Sequence, residues 1–199
     1  MRKFARCAAL LATVGLFPSQ ASAHLMNTGF GPFYDGLAHP LVTPDDLLPV
    51  IAMALLAGLG GARSGRFVVF VLPTAWLSGM AAGRVLLPHG PALWLTSMLT
   101  IALGALVAAD RRLPQSVVIA AAAILGVVHG WSNGEGLAPA NSGVTEVLGV
   151  ICTVFVVTTL LSGTVVSLRK PWSRLVVRVA GSWIAAVGLL MLGWSLRKG

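Results

Sequence analysis

Six long apolar segments constrain this chain more than any other feature of its sequence. Charged residues, glycine or proline separate them, and they cover about residues 44–61, 67–87, 91–109, 114–131, 146–168 and 175–196. A helix rises about 1.5 Å per residue, so each segment can cross the roughly 30 Å hydrocarbon core of a bilayer, the shorter ones with little tilt. The pattern predicts an all-α fold: a polytopic membrane helix bundle with about six transmembrane helices.

The charge content supports the same interpretation. Of the 199 residues, 56% are hydrophobic and only 10% are charged, whereas about a quarter of a soluble domain is charged. So few charges cannot solvate a water-exposed surface for this much apolar chain. We expect one membrane domain over residues 44–199.

Residues 1–23 have the organisation of a cleavable signal peptide. A basic start precedes an apolar stretch at residues 8–17 and the small residues Ala21-Ser22-Ala23, which is typical of a secretory signal. The alternative is an uncleaved anchor helix. After cleavage the chain would begin at His24, whose α-amine and imidazole could together bind a transition-metal ion.

The basic residues predict the orientation in the membrane. If His24 is released into the periplasm, the loops after the first, third and fifth apolar segments are cytoplasmic. These loops contain most of the Lys and Arg residues, as the positive-inside rule requires. We therefore expect a multi-pass protein of the bacterial inner membrane with a periplasmic mature N-terminus. The net charge of +8 reflects topology and gives no support for nucleic-acid binding.

This topology places most other ionisable side chains on the periplasmic side. They are His24, His39, His89, His129, Asp35, Asp45, Asp46, Glu135 and Glu146. Such a group of side chains is expected at a site that binds cations from the periplasm. A general preference of acids and histidines for that interface is an alternative explanation.

The segment around residues 30–48 carries the densest group of these side chains. Residues 24–43 are predicted to be a periplasmic or interfacial segment that contains a short helix or re-entrant piece. Thr43 and Pro44 resemble the N-cap and first position of a helix, which gives Asp45 and Asp46 a structural role near the helix dipole. The functional alternative is that both aspartates and His39 coordinate a cation at the membrane boundary.

A second group lies near the end of the fourth apolar segment. His129 falls among Gly126, Gly130 and Gly134, and glycines at this spacing allow two helices to approach closely. His129 should therefore face a neighbouring helix. Whether it is a buried, hydrogen-bonded side chain or a ligand for a metal or proton is left open by the sequence.

These motifs resemble the HupE/UreJ family of small membrane proteins. The resemblance is carried by His39-Pro40 with Asp45, by His129-Gly130 and by Asn133-Gly134, and it extends over nearly the whole mature chain. It implies a role in supplying nickel or cobalt to hydrogenase or urease. Asp46 and Asn133 stand where the family pattern has histidine, which shifts the expected preference toward harder ions or weaker binding.

The sequence thus predicts a permease-like protein that takes up a divalent transition-metal ion from the periplasm. Nickel and cobalt are favoured, and Cu, Zn, Mn and Fe stay open. The proposed ligands are His24, His39, Asp45, Asp46 and His129, with Asp35, Asn133 and Glu135 around them. A non-transporting accessory or metal-binding assembly protein is the alternative.

We expect no enzymatic activity and no tightly bound cofactor. A rhomboid-like protease needs a Gly-x-Ser-Gly nucleophile, and Ser162 lacks the first glycine of that motif. No phosphate-binding loop is present. The expected partners are the lipid bilayer, the metal ion and, as an open question, further copies of the chain.

Overall fold

The computed structural model describes residues 27–86, 93–111, 113–137 and 143–198. Within these ranges the chain forms seven α-helices and no strand. They are α1 (Pro32–Val42), α2 (Pro44–Leu59), α3 (Ala62–Val85), α4 (Leu93–Ala108), α5 (Gln115–Leu137), α6 (Val144–Ser167) and α7 (Pro171–Lys198). The predicted all-α membrane bundle is confirmed. The predicted signal peptide, His24 and His89 lie outside the described residues.

Several helices have the length and composition of membrane spans. Four satisfy both criteria alone: α3, α5, α6 and, within α7, Trp172–Arg197. Helices α1 and α2 together form a fifth candidate that is bent by 74°, and α4 is a shorter apolar helix of 16 residues. The six predicted apolar segments therefore correspond to α2–α7, and α1 is the predicted short helix that precedes them.

The bend between α1 and α2 lies at Thr43. Its backbone is extended, with φ −100° and ψ 99°, as expected for a residue that precedes proline. Thr43 is the N-cap of α2 and Pro44 opens the helix, as predicted, although the threonine side chain makes no capping hydrogen bond.

Helix α2 occupies the centre of the bundle and contacts the other six helices. Most of its residues from Pro49 to Gly58 are buried. Because the helix is apolar on all sides after its first turn, it can be buried completely among the other helices. The two aspartates in that first turn are therefore carried into the interior at one end of the bundle.

Glycines bring the surrounding helices together in pairs. Gly130 lies so close to α3 that a Cβ atom there would overlap the carbonyl oxygen of Trp76, and Gly79 meets the backbone of α5 in the same way. Equivalent contacts join α1 to α6 through Gly36 and Gly149. Gly104 and Gly181 join α4 to α7. The predicted close approach at the glycine stripe of α5 is confirmed.

The apolar segment predicted to end at residue 131 continues as a helix to Leu137. The polar residues Ser132 and Asn133 lower the local hydropathy. The apolar segment in the sequence therefore ends before the helix does. The helix continues because Gly134 packs against the backbone of Met80 and Leu137 is buried. Asn133 and Glu135 are consequently helical residues.

Candidate metal site

The carboxylate of Asp46 is the centre of a buried polar cluster between α2 and α5. Its Oδ1 atom lies 3.2 Å from Nδ1 of His129. The side-chain amide of Asn133 donates to both carboxylate oxygens, at 3.1 and 3.0 Å, and also lies 3.0 Å from the backbone carbonyl of His129. Asp46 is 3% exposed and His129 is fully buried. A carboxylate at this depth is tolerated because its oxygens are paired.

The contact with Asp46 fixes the chemistry of the His129 ring. When the carboxylate of Asp46 is ionised it only accepts hydrogen bonds, and Nδ1 of His129 is then the donor in this contact. Nε2 then presents a lone pair in the neutral ring. Within the described part of the chain Nε2 is buried and has no hydrogen-bond partner. A carboxylate that orients a histidine through its other nitrogen is the usual arrangement behind a metal-binding imidazole.

Two further side chains border this pair. The Trp76 ring lies against His129, with centroids 5.5 Å apart and planes tilted by 31°. The Nε2 atom of His39, in the last turn of α1, lies 3.7 Å from Oδ2 of Asp46. This distance is too long for a hydrogen bond but is within ion-pair range when the imidazole is protonated. Because the chain bends at Thr43, His39 at the end of α1 lies beside the carboxylate of Asp46.

Asp45 points away from this cluster although it precedes Asp46 directly. Consecutive helical residues project about 100° apart, and Asp45 faces α4, where its Oδ2 atom lies 3.3 Å from the hydroxyl of Thr96. The sequence groups the two aspartates as ligands of one site. The structure separates them onto two sides of α2.

The remaining predicted site residues are distributed around this end of the bundle. Asp35 accepts hydrogen bonds from the backbone and hydroxyl of Thr28, both at 2.6 Å, and so stabilises the start of α1. Glu135 is half-buried in the last turns of α5, and the buried Glu146 begins α6, where Gly36 packs on its backbone.

Among the described residues, no three His, Cys, Asp or Glu side chains form a group that could hold a metal ion together. Asp46 is instead occupied by Asn133 and His129. Two ligand atoms of the cluster have no hydrogen-bond partner within the described residues, Nε2 of His129 and Oδ1 of Asn133. A bound ion would need His39 to turn toward them or other ligands to join them.

Two contributors to this region, Trp76 and Thr96, were not predicted from the sequence. Gly79 and Gly83 have a four-residue spacing and face α5, but this spacing does not identify Trp76 as the neighbour of His129. No spacing in α4 indicates that Thr96 faces α2. The regular four-residue spacing of glycines in α5 is the one signal that indicated a close neighbour for His129.

Comparison with known proteins agrees with this architecture. The family described as HupE / UreJ protein matches residues 11–191. Protein HupE of Rhizobium leguminosarum bv. viciae is 31% identical over 195 residues, which cover 96% of this chain and 98% of that protein. No solved structure matches the chain. Taken with the membrane bundle and its buried histidine site, these matches show that the chain belongs to the HupE/UreJ family.

Proposed function

We propose that this chain is a permease-like protein of the bacterial inner membrane that takes up a divalent transition-metal ion, nickel or cobalt, from the periplasm. The observation that carries the proposal is the unpartnered Nε2 atom of the buried His129. A buried imidazole whose Nδ1 is held by a carboxylate offers one nitrogen lone pair, and imidazole nitrogen suits nickel among the first-row transition metals. Membership of the HupE/UreJ family supports the same substrate class.

Each residue of the cluster has a distinct role in this proposal. His129 binds the ion through Nε2, and Asp46 fixes the ring and balances the positive charge of the ion. Asn133 holds both oxygens of Asp46, which keeps the carboxylate directed at the histidine. His39 comes from a different helix and supplies a second imidazole. His24, near the chain start, stays a proposed periplasmic ligand.

The positions of the charged residues support an inward direction of uptake. The Asp46 cluster lies at the end of the bundle that the sequence assigns to the periplasm. The opposite end carries Arg174 and Arg178, together with the paired Asp110. A cation attracted from the outside therefore meets carboxylates and imidazoles first.

The alternative is an accessory protein that binds metal without transporting it. The observation that favours it is the closed cluster: Asp46, His129 and Asn133 are buried, and the described residues contain no preformed group of three ligands. Such a protein would bind metal and deliver it to a partner without moving it across the bilayer.

The test uses purified protein in liposomes that contain a metal-sensitive dye. We expect nickel or cobalt to enter liposomes that carry the wild type, and entry to fall at least about tenfold with His129→Ala, because loss of a direct ligand should cost no less than loss of its supporting contact. Thr158→Val is the matched control, because Thr158 is equally buried and its hydroxyl, among the described residues, bonds only to its own helix, at Val154.

The two functions give different results in this assay. Metal that binds the purified wild type but does not enter its liposomes would establish the accessory role and refute transport. Equal entry with the wild type and His129→Ala would refute the assigned site.

A further inference from the structure

A second site lies on the other side of α2 from the Asp46 cluster. A cavity of about 330 Å³ opens between the start of α4 and the end of α7. Asp45 is the acidic residue in its lining, which consists of Asp45, Leu93, Ser97, Leu190, Met191, Trp194 and Ser195. We refer to this cavity as the Asp45 groove.

The carboxylate of Asp45 lacks the donors that Asp46 has. Its Oδ1 atom is buried and has no hydrogen-bond partner within the described residues. Its Oδ2 atom lies 3.3 Å from the Thr96 hydroxyl, which also lies 3.0 Å from the carbonyl of Leu93 and has one hydrogen to share. The start of α2 favours an acid at this position, but the helix dipole does not satisfy Oδ1.

The two serines of the groove also present acceptors. Ser97 donates to the carbonyl of Leu93 at 2.9 Å, and Ser195 donates to the carbonyl of Leu192 at 2.8 Å. Their hydroxyl hydrogens are thereby used, which leaves oxygen lone pairs toward the groove. A carboxylate surrounded by such acceptors selects a cationic group that can donate several hydrogen bonds.

The walls of the groove indicate what is attached to that cation. Leu93, Leu190 and Trp194 are 62%, 74% and 61% exposed, so the groove opens sideways to the hydrocarbon of the bilayer. Arg197 follows Trp194 by three residues and is exposed, so it lies on the same helix face one turn nearer the end. The groove thus combines an acidic floor, apolar walls and a basic rim.

We propose that the Asp45 groove binds a phospholipid with a primary-amine headgroup, of the phosphatidylethanolamine type. The ammonium donates to the carboxylate of Asp45, the phosphate lies toward Arg197, and an acyl chain lies along Leu190 and Met191. A small inorganic cation would leave the apolar walls uncovered, and an anionic lipid would place its charge beside Asp45. This site is separate from the metal site and does not depend on the proposed transport.

Native mass spectrometry of the full chain in detergent tests this assignment. The protein is offered dioleoyl phosphatidylethanolamine, phosphatidylcholine or phosphatidylglycerol at equal concentration. We expect the wild type to retain one phosphatidylethanolamine and Asp45→Asn to retain it about tenfold less, because a hydrogen bond to a charged group is lost. Asp35→Asn is the matched control, since it removes the same charge at the same end of the bundle outside the groove.

A second variant covers the case in which Asp45→Asn does not fold. Met191→Trp fills the groove and leaves the carboxylate in place, and we expect it to lose the lipid as well. Equal retention of the three lipids by the wild type would overturn the proposal, as would undiminished retention by both groove variants.

Discussion

The paired ionisable side chains at the two ends of the bundle differ in their exposure to solvent. At one end, Asp46 and His129 are nearly inaccessible, with side chains 5% and 1% exposed, and Asn133 completes the contacts of the carboxylate. At the other end, Arg174 and Asp110 also form an ion pair, at 2.9 Å, but their side chains are 42% and 24% exposed. The exposed pair is solvated and costs little. The buried cluster carries a larger desolvation cost, which its hydrogen bonds offset.

The largest effect should come from separating the helices that enclose the buried cluster. In Gly130→Ala the new methyl group would overlap the carbonyl oxygen of Trp76, so α3 and α5 must move apart beside His129. We expect a loss of about 3 kcal/mol in unfolding free energy, as for an overpacked core, measured as a lower midpoint of thermal unfolding in detergent. Gly163→Ala is the control, because nothing lies within 4 Å of a Cβ atom there. Equal midpoints for the two variants would contradict the close contact.

A smaller effect is expected from removing the amide that holds Asp46. Asn133→Leu keeps the approximate size of the side chain and removes the donor to Oδ2 of Asp46, while Oδ1 keeps its contact with His129. This should cost about 2 kcal/mol of stability and lower metal affinity about tenfold or more, measured by unfolding and by metal binding to the purified protein.

The corresponding double variant separates the two consequences. Asp46→Leu with Asn133→Leu replaces both partners by apolar groups, so its stability loss should be less than the sum of the single losses. Its metal binding should stay as low as in the single variants. Strict additivity of the stability losses would show that the two side chains are not coupled.

The smallest effect belongs to the exposed pair at the opposite end. Arg174→Gln removes a contact between partly solvated groups, so we expect a loss below about 1 kcal/mol and unchanged metal binding. High salt should reduce even this difference because exposed ion pairs are screened. A loss as large as that of Asn133→Leu would remove the contrast between the two ends.

Much of the fold follows from the sequence, and much of the site does not. Apolar length alone predicted the helices α2–α7, and Thr43-Pro44 predicted the break before α2. The partners of the two aspartates could not be predicted, because the side that each one faces depends on how α2 is rotated within the bundle. Asp45 and Asp46 were grouped by adjacency in sequence, whereas a helix directs adjacent residues toward different neighbours. Asn133 was predicted to lie beside the proposed ligands, but its donation to both oxygens of Asp46 is visible only in three dimensions.

The pairing of helices by glycine has a mechanical consequence. Helix α1 packs closely on α6, and α3 packs closely on α5, so we expect each pair to move as a unit. His39 belongs to the first unit and His129 to the second, while Asp46 lies on α2 between them. A displacement of one pair relative to the other would change the separation of the two imidazoles and would also shift the contact between α3 and α6, where the Phe70 and Phe155 rings lie 6.1 Å apart. The 3.7 Å gap between His39 and Asp46 is the distance by which such a displacement can be followed.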